Sequence, residues 1–527
     1  MIKKFKLIII IPLLFALLAS HRLWRPGYFS MQDDMHVFRL AQFHQCVLDR
    51  QIPCRLIPDG GFGYTYPLFN FYSPLPYAFA ESFHLAGLSL IDSLKISFII
   101  PFFIGSLGMY LLSSSFFGPV GGLVSSVLYT FAPYHSLDSF VRGALAEHWA
   151  INLLPLIMYS LYKKRTNLFI ISLTALLLSH NLTLVYFLPV LLIFSIIHKN
   201  TRYLIQNSIY SILLSAFFII PAFFEKNLTT VSSMTQGYFN YIIHFATINQ
   251  LFISRFWGYG ASLWGPVDDL SLQIGIVHWV LPLIALLIAI RSSFKKTIFT
   301  FFGIGLFATF LTHNRSTFIW QILSFMPYYQ FPWRFLGLVV FCFSFISGIV
   351  TKNKFLLLII IFLTIGLNIN YFKEDIWYPT LTDGQKLTTQ EIYRQSGAGL
   401  KDYWPRSTTS FPEIMAPTQA NTITGQITNI LFTKNSHQIS GELTVDTPSA
   451  NIILPVTYFP NWELSVNNQK TNYQIDPKYG QISFELPAGH YQYLLQFKNT
   501  PIRSFANILS LIGVFLYIIK LYREAKS

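Results

Sequence analysis

Apolar residues follow two rhythms along this chain. Up to about residue 371 they run in nearly unbroken blocks, near 5–21, 94–114, 119–133, 148–162, 167–179, 182–197, 203–222, 272–290, 297–312, 334–350 and 355–371, with one more near 504–519. A helix needs about 20 apolar residues to cross a hydrocarbon core, and these blocks are of that order. Between 372 and 502 the rhythm changes to period two. The segments 439–445, 452–457, 462–466, 482–486 and 491–497 alternate apolar with polar residues, with a turn read at Pro487-Ala488-Gly489-His490. That pattern predicts an antiparallel β domain of sandwich type. The expected fold is a polytopic α-helical membrane protein of about twelve transmembrane helices, with an extracytoplasmic β-sandwich-like domain before the last helix. Its parts are 1–371, a transmembrane domain with a first outer loop at 22–93; 372–502, the β domain; and 503–527, the last helix and a cytoplasmic tail.

Charge supplies the orientation. Only 11% of the 527 residues are charged, against 53% hydrophobic, whereas soluble domains carry about 25% charged residues. The net charge of +14 is not a nucleic-acid signature, because no long basic run exists to follow a phosphate backbone. Lysine and arginine instead sit in short clusters between the apolar blocks: Lys3, Lys4 and Lys6; Lys163, Lys164 and Arg165; Lys199 and Arg202; Arg291, Lys295 and Lys296; Lys352 and Lys354; Lys520, Arg523 and Lys526. Cytoplasmic loops attract such clusters, and every cluster falls inside without a forced exception. Both termini are then cytoplasmic in the plasma membrane, while the long loops and the β domain are extracytoplasmic. The N-terminal Lys-rich start and apolar run also fit a signal peptide, but the many later spans make a retained first helix the simpler reading. Cys46 and Cys54 share the first outer loop, where a disulfide persists if formed; Cys342 reads as a core residue.

The candidate chemistry lies on that outer face. The polar, aromatic segment 31–77 carries adjacent Asp33 and Asp34, with His36 and Arg39 close behind. A carboxylate pair raises one pKa and can deprotonate a hydroxyl. The same pair with His36 offers ligands to a divalent metal such as Mg or Mn, and an aspartate before an amphipathic helix is also an ordinary N-cap. Tyr64, Tyr66, Asn70 and Tyr72 are the candidate substrate-binding side chains of this loop. A second cluster, His135, Asp138, Arg142, Glu147 and His148, stands at the mouth of the fourth block. Arg142 and Glu147 are five apart, so on a continuous helix they need not pair. His180 occupies a tight outer turn, Trp257 a glycine-aromatic loop, and Trp333-Arg334 the outer end of the tenth block. There an arginine beside an aromatic residue suits a phosphate at headgroup depth, or serves as an interfacial anchor. Transporters place ionisable groups near mid-membrane, whereas these helix interiors are almost uncharged.

Several motifs together resemble the GT-C superfamily of membrane glycosyltransferases, and more closely the bacterial YfhO-like proteins and the group labelled 6-pyruvoyl-tetrahydropterin synthase-related. They are Gln32-Asp33-Asp34, 51–55 (QIPCR), 63–72, Arg142-Gly143-Ala144 with Glu147, Ser179-His180-Asn181, Trp257-Gly258-Tyr259-Gly260, Phe331-Pro332-Trp333-Arg334, Asp402-Tyr403-Trp404-Pro405, 458–462 and 486–490. The resemblance implies a polyprenyl-phosphate-linked sugar donor and an extracytoplasmic glycan, polymer or lipid acceptor. It also implies Asp33 or Asp34 as base or metal ligand and adds Tyr403 to the binding residues. The pterin label implies no pterin chemistry, since no clustered histidine zinc motif is present. The partners expected are membrane lipids, the lipid-linked donor and the surface acceptor, with no nucleic acid. The other reading is a non-enzymatic flippase or scaffold for cell-surface polymer assembly.

Overall fold

The computed structural model describes residues 8–526. Lys3, Lys4 and Lys6, which set the expected orientation of the N-terminus, lie outside the described residues. A helix stands at each apolar block: Ile10–Ala19, Leu90–Thr130, Leu145–Tyr162, Thr166–Leu177, Asn181–Ile197, Thr201–Glu225, Ile276–Ala289, Lys295–Leu311, Leu336–Ser347, Lys354–Asn368 and Pro501–Lys526. Between the second and third blocks the chain reverses at Gly118, where φ is 77°, and the two helices of the 90–130 stretch pack side by side, with Ser106 hydrogen-bonded to Ser126 and Ser113 to Ser125. Glycine adopts that conformation without a Cβ penalty, and Pro119 restarts the helix as an N-terminal proline does. Among the described residues four helical stretches are long and apolar enough to cross a membrane: Leu90–Thr130, which Gly118 divides, Thr201–Leu228, Lys354–Tyr371 and Pro501–Lys526. Most of the others are shorter than a full span, so the count of twelve crossings stays an expectation. Prolines 101, 155, 189, 221 and 282 sit inside these helices, a placement that neighbouring helices in a membrane protein tolerate.

The chain packs as two compact units, each assembled from three stretches. The first comprises 1–34, 91–212 and 235–381; the second comprises 35–90, 213–234 and 382–527. This grouping differs from the expected parts, because the first outer loop after Asp34 packs with the C-terminal portion. The first unit has a phenylalanine-rich core in which Phe116, Phe194, Phe301, Phe341 and Phe345 interlock from different helices. Its one small sheet pairs Tyr28–Phe29 with Trp377–Tyr378.

The second unit holds the β domain. Two long strands, Gln438–Thr457 and Gln481–Phe497, pair antiparallel from Gln438↔Gln496 to Thr457↔Gln481. Ile427–Lys434 and Asn421–Thr424 flank the first of them, while Trp462–Val466 and Gln474–Ile475 flank the second. The expected strand pairs 439–445/452–457 and 482–486/491–497 are therefore each one strand. Pro487-Ala488-Gly489-His490 is not a turn; it lies mid-strand, opposite the register shift between Val445 and Ser449. The extra residues 446–448 bulge there and bend the pair, as bulges do. All seven strands belong to one hydrogen-bonded sheet, in place of the two sheets of a sandwich. The sheet's alternation buries Ile439, Leu443, Ile452, Leu454, Leu464 and Leu495 on its inner face. Asn467 and Asn468, both at positive φ, make the two-residue turn between Val466 and Gln469, the residue type such hairpins prefer.

Candidate functional site

The first unit gathers its charged side chains around one irregular stretch of backbone. After the 90–130 helix, Pro133–Ser136 makes a single helical turn and Leu137–Val141 a π-helical one. Local π-helical turns re-aim side chains. Gly143, at φ 66°, then ends the segment before the helix Leu145–Tyr162 starts. Because this path is broken twice, the spacing rule of a continuous helix does not apply. Arg142 Nη1 reaches both Asp138 Oδ1 and Glu147 Oε2, the latter at 2.9 Å, so the expectation that Arg142 and Glu147 need not pair is corrected.

Glu147 is the hub. It accepts from the Tyr134 hydroxyl at 2.6 Å and from Arg142, and its Oε2 lies 3.3 Å from Arg334 Nε. It sits in the first turn of its helix, where the backbone dipole favours a carboxylate. Trp333 closes the cluster, with the Arg142 guanidinium 4.5 Å above its ring. Two carboxylates and two guanidinium groups make up the cluster. Burial, reinforced by the charge of Glu147, pushes the Asp138 carboxyl well above its usual range, and Asp138 Oδ2 has no hydrogen-bond partner among the described residues. His180 caps the neighbouring helix, hydrogen-bonds Thr183 Oγ1 at 2.8 Å, and is lowered to about 4 by burial. It is therefore neutral at pH 7.

The acidic loop docks beside this cluster through its backbone. The Gln32 amide donates to the Val141 carbonyl at 2.9 Å and the Asp33 amide to the Arg142 carbonyl at 2.8 Å. Asp33 and Asp34 are half-buried, and the charge of Asp33 acts on Arg142. Close packing requires glycine at 143, since a Cβ there would run into Met31 Sδ. A third loop locks the arrangement. The Tyr259 hydroxyl lies 2.6 Å from the Phe140 carbonyl and 3.1 Å from that of Ser30, and it accepts from the Asp375 amide. Gln32 Nε2 donates to the Gly260 carbonyl at 2.9 Å. Tyr238, from the same outer loop, feels the charges of Asp269, Arg142 and Asp33.

Other candidates lie elsewhere. His135 and His148 turn away from the arginines and share Asn152, whose amide is 3.4 and 3.3 Å from their Nδ1 atoms. His148 Nε2 donates to the Phe98 carbonyl. Trp257 donates to the Tyr371 carbonyl and carries Lys373 over its ring. Sequence reasoning singled out Trp257, but its neighbour Tyr259 is the residue that ties the loops; the glycines on both sides of that tyrosine were the available signal. Tyr134, next to His135 in the sequence, was not among the candidates, and Tyr238 carried no signal.

The remaining candidates belong to the second unit. His36 Nδ1 pairs with the Tyr77 hydroxyl at 2.8 Å. Arg39 stacks over Tyr72 at 4.4 Å and lines a small cleft with Tyr66 and Asp402. The Tyr66 hydroxyl donates to Gly399 and accepts from the Tyr403 amide, and Tyr403 stacks on Phe71. Tyr64 packs on Tyr479. Asn70 stands apart from the cleft, accepting from Arg55 and donating to Glu225, which also holds Arg503. Burial, with Arg503 beside it, lowers Arg55 to about 10. Cys46 and Cys54 are disulfide-bonded, and Cys342 is a buried free thiol. Among the described residues no group of three or more His, Cys, Asp or Glu side chains is arranged to hold a metal ion. The expected Asp33, Asp34 and His36 set does not assemble as one, and His36 spends a ring nitrogen on Tyr77.

No protein-family model matches the chain, and no curated protein matches it. Among solved structures it is similar to the single-particle cryo-EM structure of arabinofuranosyltransferase AftD from Mycobacteria, at 9% identity and a TM-score of 0.43. The likeness covers 71% of this chain and 28% of that one. A likeness this distant carries no functional inference.

Proposed function

We propose that the chain is a glycosyltransferase of the extracytoplasmic membrane face, taking a sugar from a polyprenyl-phosphate-linked donor to a surface glycan, polymer or lipid. One observation carries the reading: the Asp33 and Gln32 amides fasten the acidic loop to the Arg142–Val141 backbone, which sets two half-buried carboxylates beside a buried guanidinium cluster. In this proposal Asp34 or Asp33 takes the proton of the acceptor hydroxyl as that oxygen attacks the sugar carbon. The bond from that carbon to the lipid phosphate breaks, and the leaving phosphate carries its charge away beside a cation. Arg142 is committed to Asp138 and Glu147, so Arg334, with the more exposed side chain of the two (12% against 7%), is the residue proposed to face the phosphate.

The internal pairing of Arg142 and Arg334 with Asp138 and Glu147 also favours a second, non-enzymatic reading, a scaffold or flippase for surface polymer assembly, in which the cluster only braces the helices. Transfer of labelled sugar from a polyprenyl-phosphate donor in proteoliposomes separates the two. On the enzymatic reading Asp33→Asn or Asp34→Asn abolishes turnover, and Arg334→Gln raises the KM for the donor. Absence of turnover with every lipid-linked donor tested favours the scaffold.

A further inference from the structure

The charge pattern assigns 223–271 and 313–333 to water outside the membrane, yet their surface is not that of a water-exposed loop. Ile253, Val267 and Ile322 are 70%, 74% and 75% exposed, and Trp264, Phe318 and Phe325 are about half exposed. Scattered single residues of this type are normal, whereas a contiguous set marks contact with something apolar.

The two segments form one body. Ala246 pairs with His313, the Ala246 amide donates to the Thr312 carbonyl at 2.8 Å, and Tyr241 stacks on Trp320 at 5.0 Å. That body continues the apolar flanks of two helices. Phe318 meets Phe310 at 6.4 Å, and Phe310 lies on the same exposed apolar surface of the helix Lys295–Leu311 as Leu306 and Phe307. On the other side Arg255 donates to the Leu367 carbonyl at the end of the helix Lys354–Asn368, whose flank exposes Phe362 and Leu363. Arg255, Arg315 and Trp264 supply the cationic and aromatic side chains that settle at headgroup depth.

We propose that 241–267 and 313–328 form a collar seated in the bilayer interface, with lipid acyl chains as its occupant. Two features favour lipid over a protein partner. The apolar surface adjoins helix flanks of apolar composition through Phe318–Phe310 and Arg255–Leu367, and short helices with an apolar outer face and aromatic or basic margins are the interfacial type. Resting on the proposed function, the collar has a consequence for substrate entry. Phe331 contacts Tyr238 and His244 of this loop and stacks on Trp333 at 4.9 Å, so a lipid-linked substrate at the collar has its phosphate near Arg334.

Spin labels on Ile253→Cys, Val267→Cys and Ile322→Cys test the seat without any activity assay. The full chain is reconstituted in phosphatidylcholine–phosphatidylglycerol vesicles, with Phe307→Cys as the lipid reference and Gln469→Cys as the water reference. The native cysteines are bonded or buried and do not compete for label. The expected result is an oxygen-to-nickel collision ratio within about twofold of Phe307 and several-fold above Gln469 at all three sites, since interfacial side chains sit at acyl depth. High nickel access at these sites places them in water and overturns the collar. Low access to both reagents means protein covers the face, which overturns it equally. Failure of the transfer assay would leave this result untouched.

Discussion

Glu147→Gln is the sharpest test of the buried cluster. The substitution keeps the side chain's shape and an acceptor for the Tyr134 hydroxyl, but removes the negative charge that faces Arg142 at 2.9 Å and Arg334 at 3.3 Å. Glu147 is 2% exposed and the Arg142 side chain 7%, so solvent screens little of the loss. Removing one partner of a buried pair costs about 3–5 kcal/mol, because the remaining charge is left uncompensated. Asp138, freed of its like-charged neighbour, ionises more readily and offsets part of this, which points to the lower end, about 3 kcal/mol. Unfolding entropy near 2.1 cal/mol/K per residue, over the roughly 300 residues of the first unit, converts that to a fall in Tm of about 5 °C. Thermal unfolding in detergent micelles measures it. Arg142→Gln alone should cost a similar amount, and the double variant should cost clearly less than the sum, with a coupling of about 1–3 kcal/mol. A Tm within about 1 °C of the parent, or strict additivity of the two variants, would refute the ion-pair account.

Three further outcomes follow from the same structure. Gly143→Ala should lower transfer activity more than tenfold with a modest loss of stability, about 1–2 kcal/mol, because a Cβ at φ 66° runs into Met31 and lifts the acidic loop from Arg142; unchanged activity would break the link between docking and chemistry. Opening the Cys46–Cys54 disulfide, separated by 8 positions, should cost about 2–3 kcal/mol, read as earlier unfolding of the second unit under reductant or in the double alanine variant. His180 is held to about 4, below its ordinary 6.5. The unfolded chain therefore takes up a proton on falling through pH 6.5, while the folded chain does not until about pH 4. Stability from the neutral ring is present above pH 6.5 and lost as pH falls toward 4, by an amount on the order of 3 kcal/mol. The parent should lose more stability than His180→Gln across that interval; parallel pH profiles would contradict the assignment.

Much of the architecture was readable because the two apolar rhythms are unambiguous. Each apolar block lies in a helix, and the alternating segments between 439 and 497 lie in antiparallel strands. The strand ends misled, since Pro487-Ala488-Gly489-His490 has turn composition yet runs mid-strand, opposite the bulge at 446–448. The site was legible only in part. Of the candidates chosen for charge at the mouths of apolar blocks, Arg142, Glu147 and Arg334 lie together in the first unit, with Asp33 acting on Arg142. Their pairing was not legible, because a π-helical turn and a positive-φ glycine between Asp138 and Glu147 cancel the spacing rule. His135 and His148 were grouped with the arginines by proximity in sequence, but the helix turns both toward Asn152. Nor did composition reveal that Tyr259, rather than Trp257, is the tie between loops. That role depends on carbonyls at Ser30 and Phe140, which no local pattern encodes.

The most direct test of the central claim is the rate of sugar transfer by the Asp33→Asn/Asp34→Asn double variant. It would be measured in proteoliposomes with a polyprenyl-phosphate sugar donor and, in parallel, a nucleotide-sugar donor. The account predicts transfer by the parent from the lipid-linked donor alone. It also predicts a loss of about 10²–10⁴-fold in the correctly folded double variant, the range expected when a general base is removed. Parent-like turnover in the double variant would contradict the claim, as would transfer from the nucleotide sugar.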